Sequence, residues 1–405
     1  KDTADLTGLL AKACLIADAI IGTGFSGRLR PEISEIIDIL NKSGKKIISA
    51  DIPSGADADT GRVKGSAVKA YKTVTFGLMK PGLLLYPAAE YCGEVSVAPI
   101  SIPGEVLEDP NLNIFALDDK TAGAMLPKRK LRSHKGDYGR IFIAAGSRTM
   151  TGAAILSALS TYKAGAGLVY SCVPEGITKV VQTSIPEAVI VPLPDMDGEF
   201  YSESLKPFLN ASKEGSAFIV GPGIGRSKGA AAFATGVIKE SQKPVVVDAD
   251  AIVALHAQPE ALSLSKAPLV ITPHMKEMSC LTGIPVDEIL ENPLGIARST
   301  AEKYNVTVLL KDARTIIASP DKRVFINTTG NPAMAKGGSG DVLTGIIAAL
   351  IGSGLPVFEA AALGAYIHGL SGDIAAEKIG GYGVLARDIA NAVPEAIEHL
   401  LKIAG

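Results

Sequence analysis

From Arg140 onward the chain repeats one pattern: a short apolar run breaks off in glycine or polar residues, and a helical stretch often follows. "GRIFIAAGS", "GLVYSCVPE", "AVIVPLP", "SAFIVGPGIG", "KPVVVDADAI", "APLVITPH" and "VTVLLKDART" all have this form. Runs that are apolar throughout, rather than alternating, suit strands covered on both faces. Helices between such strands carry the chain back to start parallel neighbours. The pattern therefore predicts an α/β sandwich around a mostly parallel central sheet. "RTIIASPDKRVFINTTG" (314–330) departs from it and predicts a hairpin turning at "SPDK". From residue 341 the chain reads as mostly helical.

A smaller block precedes this one. "CLIADAIIGT" (14–23) and "KIISADIPS" (46–54) read as strands. Between them Ile33, Ile36, Ile37 and Leu40 fall at helical spacing, and Gly44 is placed to end the helix. "YKTVTFGL" and "GEVSVAPI" predict further strands. "SIPGEVLEDPNLN" (101–113), with its prolines, glycine and acids, predicts a linker. The expected domains are 1–113 and 114–405. A length of 405 residues accommodates both, and 47% hydrophobic residues suffice for large cores.

A net charge of −2 gives no reason to expect nucleic acid or an acidic membrane as partner. No apolar stretch is long enough to span a membrane. Cys14, Cys92, Cys172 and Cys280 are far apart and form no CxxC pair, so reduced, buried thiols and a cytoplasmic setting are expected.

In open parallel sheets, ligands gather beyond the carboxyl ends of the strands, where this chain concentrates its polar residues. "GGSGDVLTG" (337–345) brings glycines to an apolar helix start, a shape that converges backbone N–H groups on an anion. The plain reading of Asp341 is a helix cap. "VGPGIGR" (220–226) is a glycine turn, and "VVVDADAI" (245–252) delivers Asp248 and Asp250. "ITPHMKEM" (271–278) delivers His274 and Glu277, and "LLKDART" (309–315) delivers Lys311. Taken singly, these are a βα turn, caps, a structural histidine and a surface lysine. Together they offer an anion hole, a carboxylate and a lysine. They hold no nucleophile–His–Asp grouping, no spaced His/Cys zinc set and no Walker lysine. That combination suits phosphoryl transfer to a hydroxyl.

"GGSGDVLTG" resembles the catalytic stretch of the ribokinase-like superfamily. With "HKGDYGRIFIAAGS", "GPGIG", "VVDADAI", "TPHMKEM" and "KDART" in order, the chain resembles its ADP- or ATP-dependent NAD(P)H-hydrate dehydratase branch. The resemblance implies a three-layer α/β/α domain. The implied reaction is phosphorylation of the ring hydroxyl of (S)-NAD(P)H hydrate by ADP or ATP with Mg2+, followed by phosphate elimination. On it, Asp341 is the base, and Gly338, Ser339 and Gly340 form the anion hole. Ala153, Gly223 and His274 contact the hydrate. Lys311, Asp312, Ala313, Arg314 and Thr315, with Gly340, contact the nucleotide. Met275–Lys276 stands where the family usually shows Pro-Gly, which should alter that loop. A ribokinase-like kinase of a vitamin-precursor alcohol is the alternative enzyme, and an idle nucleotide-binding scaffold the alternative outside catalysis.

In the first block "GTGFSG" (22–27) also fits G-x-G-x-x-G, with Asp51 at the end of the next strand, as a dinucleotide-binding half would have it. "DAIIGTGFSG" and "SADIPSGADADTG" instead resemble part of the Rossmann-like NAD(P)H-hydrate epimerase domain. The resemblance implies K+ held by Asp18 and Ser54, and hydrate phosphates bound by Gly22, Thr23, Gly24, Phe25, Ser26, Gly27 and Arg28. It makes Asp51 the acid–base residue. It also implies a domain that begins before Lys1, so an incomplete or inactive epimerase half is expected, and a homo-oligomeric assembly.

Overall fold

The computed structural model describes residues 3–405, with side chains from Leu6 onward. The chain divides into two compact units, residues 1–114 and 115–405.

The first unit holds four parallel strands in sequential order: β1 (Leu15–Asp18), β2 (Lys46–Ala50), β3 (Lys72–Phe76) and β4 (Glu94–Ala98). Helix Pro31–Lys42 connects the first two, with Pro31 at its first position, where a missing N–H costs nothing. Its apolar stripe buries Ile37 and Leu40 against Ile16 and Ile47. Gly44, at φ 69°, ends the turn as expected. The expected linker contains one helical turn, Gly104–Leu107.

The second unit is built on β5 (Ile114–Ala116), β6 (Arg140–Ala144), β7 (Leu168–Pro174), β8 (Val189–Leu193), β9 (Ala217–Val220), β10 (Val245–Val247), β11 (Leu269–Ile271), β12 (Thr307–Leu310), β13 (Ile316–Ala318) and β14 (Val324–Ile326). Their order is β5-β14-β13-β12-β11-β10-β9-β6-β7-β8. Strands β6 to β12 pair in parallel, while β12, β13 and β14 pair antiparallel, as the hairpin pattern requires. The chain leaves β6 toward β7 and β8, then returns to place β9 on the other side of β6. The crevice at that reversal is where such sheets bind ligands.

Helix Ser339–Gly352 lies in the core: Val342, Ile346, Ile347 and Leu350 are buried with Ile141, Ile219 and Val246 of the sheet. Each such side chain contributes about 1.5–3 kcal/mol on burial. Gly345 lets this helix close on helix Thr151–Lys163; a Cβ there would lie 2.0 Å from Ser160 Oγ. Helices Val357–Ile379 and Ala386–Ala404 complete the layer. Among the described residues no helix is long and apolar enough to cross a membrane. The four thiols are free, but only Cys92 and Cys172 are buried; Cys14 is exposed and Cys280 half-buried, against the expectation that all would be inside.

Candidate active site

The glycine run is not a simple capped helix. Gly338 is the N-cap residue, at φ 93°, and no side chain caps the helix. A side chain at Gly338 would strike Leu156 at 2.6 Å and Ala386 at 3.0 Å, so both the conformation and the space require glycine. Asp341 is therefore the third residue of the helix rather than its cap. No hydrogen bond to its carboxylate exists among the described residues; only its backbone carbonyl accepts, from Thr344 Oγ1 at 2.8 Å.

Lys311 reaches the same place from the end of β12. Its N–H donates to the Pro273 carbonyl at 2.8 Å, carrying the β11–β12 pairing one step past the strands. Its Nζ lies 2.8 Å from Asp248 Oδ1 and 4.0 Å from Glu277 Oε2. Asp248 also accepts from Thr272 Oγ1 at 2.6 Å. A Cβ at Gly340 would lie 3.4 Å from Lys311 Nζ and 3.6 Å from Asp248 Oδ2, so the glycines, the lysine and the carboxylate share one wall. Ala249 sits between Asp248 and Asp250 at φ 50°, a strained conformation for a residue with a Cβ.

The electrostatics follow from this packing. Burial, then repulsion from Asp248 and Asp250, pushes Asp341 up to about 7, with Lys311 pulling the other way. Burial also works against the Lys311 ammonium, but Asp248, Glu277 and Asp341 outweigh it and hold its pKa above the usual lysine range. Burial raises Glu277. His368, beside the Ser339 backbone, is pushed down to about 4 by burial and stays neutral.

The glycine turn after β9 sits at the reversal point. Gly146 N–H donates to the Pro222 carbonyl at 2.8 Å, and a Cβ on Gly223 would meet Ala153 Cβ at 2.9 Å. Ala153 and Gly223 are thus brought together. His274 caps helix Met275–Thr282 in a reciprocal box: Glu277 N–H donates to His274 Nδ1 at 3.1 Å, and His274 N–H to Glu277 Oε2 at 2.9 Å. Met275–Lys276 simply opens that helix. Asp312 to Thr315 form the turn into β13, where Arg314 Nη1 donates to the Thr328 carbonyl.

In the first unit Gly22 to Arg28 form a largely exposed loop between β1 and its helix. Asp18, at the end of β1, is 1% exposed yet meets only neutral donors among the described residues. These are Ser49 Oγ (2.8 Å), Ser54 N–H (2.9 Å), Ser54 Oγ (2.6 Å) and Ile20 N–H (3.4 Å). Asp51 follows β2 at φ 68°. Its Oδ1 accepts from Thr75 Oγ1 (3.0 Å), Phe76 N–H (2.9 Å) and Lys80 Nζ (2.5 Å). Burial alone would raise its pKa, but Lys80, Phe76 and Thr75 together hold it below the usual carboxylate range. Lys80 was missed in the sequence, although it ends "TFGLMK", four residues past β3. Thr272 was missed too, as was the backbone strain at Ala249; a β-strand end bearing Asp-x-Asp hints at the latter.

Two family models match the chain: NAD(P)H-hydrate dehydratase over residues 141–395, and YjeF-related protein N-terminus over residues 1–82. The chain is 41% identical over 392 residues to the bifunctional NAD(P)H-hydrate repair enzyme of Moorella thermoacetica, covering 96% of this chain and 74% of that one. It is likewise 41% identical to the repair enzyme of Thermofilum pendens, over 95% and 73%. Among solved structures it resembles the ADP/ATP-dependent NAD(P)H-hydrate dehydratase of Bacillus subtilis co-crystallised with ATP and Mg2+. That match has 27% identity and a TM-score of 0.61, over 71% of this chain and 99% of that one. A ribokinase-like superfamily protein of Enterococcus faecalis matches at 27% identity and TM-score 0.62, over 71% and 97%. The larger unit thus has the ribokinase-like α/β fold. The match of residues 1–82 gives no support to the expectation of an incomplete or inactive epimerase half.

Proposed function

Because the chain belongs to the family of bifunctional NAD(P)H-hydrate repair enzymes, we propose that its two sites divide the repair between them. The function of the chain is nicotinamide nucleotide repair, with a dehydratase and an epimerase domain. The domain line is drawn near residue 114, where the two compact units meet in sequence. A vitamin-alcohol kinase is not favoured, since the relatives matched over nearly the whole chain are repair enzymes.

The observation that carries the dehydratase assignment is Asp341, its carboxylate without a hydrogen bond among the described residues and raised to about 7 at the start of a buried helix, beside Lys311. In our reading Asp341 takes the proton of the hydrate hydroxyl, and the hydroxyl oxygen attacks the terminal phosphorus of ADP or ATP. AMP or ADP leaves with the bridging oxygen. The Gly338–Gly340 backbone and the helix N-terminus receive the developing charge, and Lys311 offsets it. Loss of the phosphate from the ring carbon, with a proton from its neighbour, regenerates NAD(P)H. Ala153, Gly223 and His274 line the hydrate side, and Lys311 to Thr315 the nucleotide side. Mg2+ would enter with the nucleotide, held largely by phosphates and water; no group of three candidate ligands converges among the described residues.

For the epimerase site we assign acid–base work to Asp51 with Lys80. Asp51 is held ionised, which suits a base, and the Lys80 ammonium beside it is the group able to return a proton. This modifies the expectation that Asp51 alone serves both roles. Gly22 to Arg28 offer backbone N–H groups to phosphate. The buried Asp18 carboxyl, met only by neutral donors among the described residues, fits a counter-cation. Asp18, Ser54 Oγ and the Ile21 carbonyl, which Ser54 Oγ approaches at 3.3 Å, are the oxygens that would hold K+. A cytoplasmic homo-oligomer completes the reading, and sedimentation checks the assembly.

The test is to incubate the protein with NADH hydrate, Mg2+ and either nucleotide, and to follow the return of NADH absorbance. Recovery is expected with ADP or ATP; absence of recovery with both would sink the assignment.

A further inference from the structure

Asp250 belongs to none of the roles assigned above, yet it is only 7% exposed and lies between two working parts of the site. Its Oδ2 accepts from Gly225 N–H at 3.2 Å and its Oδ1 from Arg226 Nε at 3.0 Å. Both donors are in the 221–226 turn, whose Gly223 faces Ala153. The far side of that turn is held by Glu199, whose Oε2 accepts from Ser227 N–H at 3.3 Å; a Cβ on Gly225 would lie 2.2 Å from the Glu199 Cδ. Glu199 thus packs against one side of Gly225, while Asp250 bonds the Gly225 and Arg226 end of the turn and Gly146 N–H holds its Pro222 carbonyl. The strained backbone at Ala249 aims Asp250 this way while its neighbour Asp248 faces Lys311.

We propose that Asp250 is a positioning residue that couples the hydrate-binding turn to the catalytic carboxylate: one side chain clamps Gly225 and Arg226, and the same negative charge acts on Asp341. The idea rests on the dehydratase reading above. The charges facing Asp341 are Asp248 after β10, Lys311 at the end of β12, and Asp250. Glu277 stands behind Lys311, and neutral His368 lies beside Ser339 on helix 357–379. Within this set Asp250 is the carboxylate whose own partner, Arg226, is mostly exposed, with 75% of its side chain in solvent. The Arg226 charge is screened there, so Asp250 retains most of its effect inward.

Three variants of the full chain test this, read by kcat and KM for the hydrate and for ADP across pH. Asp250→Asn removes the charge but keeps an acceptor; the low-pH limb of kcat is expected to move down by about half a pH unit, with hydrate KM changed less than about threefold. Arg226→Ala removes the exposed partner and leaves the carboxylate uncompensated, so the limb is expected to move up by about two tenths. Asp250→Ala frees the turn, and hydrate KM is expected to rise about tenfold while ADP KM stays within about twofold. A merely structural residue would not move the limb in opposite directions in two folded variants. Limb shifts of one sign in both, or no shift in either, overturn the proposal, as does an equal rise of hydrate and ADP KM. Survival of turnover in Asp341→Asn would instead strike the dehydratase reading itself.

Discussion

Asp51 follows strand β2 and Asp341 lies in the first turn of a buried helix, and the two are tuned in opposite directions. Asp51 has three donors converging on one oxygen, one of them the Lys80 ammonium, and is held ionised. The Asp341 carboxylate has no donor among the described residues and two carboxylates for neighbours, and is raised to about 7. Lysine is present in both sites. What differs is its commitment: Lys80 bonds Asp51 directly, whereas Lys311 spends its bond on Asp248. A carboxylate clamped by a cation is a weak base with a fixed pose. One left unbonded among like charges is a stronger base, poised near neutrality.

The largest effect expected from this contrast comes from removing the poised base. Asp341→Asn should lower dehydratase kcat by about a hundredfold or more while calorimetry still registers ADP binding. Retained turnover would mean that the carboxylate has no part in proton transfer. Next comes the clamp: Lys80→Met should cost epimerase activity about tenfold or more and leave dehydration unchanged, measured by following interconversion of the hydrate epimers. An unaffected epimerase would reduce Lys80 to a structural partner.

The difference should also appear in pH. Dehydration requires ionised Asp341, so kcat should be half-maximal near pH 7, the value of Asp341, and fall as pH drops below it. Epimerisation should show no limb from Asp51 in that range, since Asp51 stays ionised until pH falls below the ordinary carboxylate range. Coincident limbs for the two activities would erase the comparison.

Much of this was legible in the sequence because it depends on local pattern. The apolar runs placed the strands, the glycines at 221–226 marked the turn after β9, and those at 337–340 marked the start of a buried helix. Tuning was not legible, since it depends on which side chains meet across strands. Nothing in "LLKDART" says that Lys311 bonds Asp248 rather than Asp341. Taken alone, Asp341 could be read as a cap because a helix start preceded by glycine and serine is indistinguishable, in one dimension, from one capped three residues earlier at Gly338. Lys80 was passed over because it lies beyond a strand end in a loop with no motif of its own, and only its folding back onto the end of β3, where its Nζ also meets Thr75 Oγ1 and the Phe76 carbonyl, brings it to Asp51.

The smallest effect expected concerns stability, and its sign separates a tuned base from a structural acid. The folded state raises Asp341 from its ordinary 3.8 to about 7, so folding disfavours the ionised form. Below the unfolded value the residue is neutral in both states and costs nothing. As pH climbs through the window between those values the unfolded state ionises freely, and the native state loses stability until the folded value is passed. The full linkage for such a shift is about 4 kcal/mol; partial exposure of the residue reduces it to roughly 2 kcal/mol. Asp341→Asn should therefore raise Tm by a few degrees at alkaline pH and leave it nearly unchanged near the unfolded value. Asp51→Asn should do the opposite, lowering Tm at neutral pH, because its folded pKa is depressed and its ionised form is the one the structure holds. If both substitutions shift Tm the same way at neutral pH, the two carboxylates are not tuned in opposition, and the division between clamped and poised base fails.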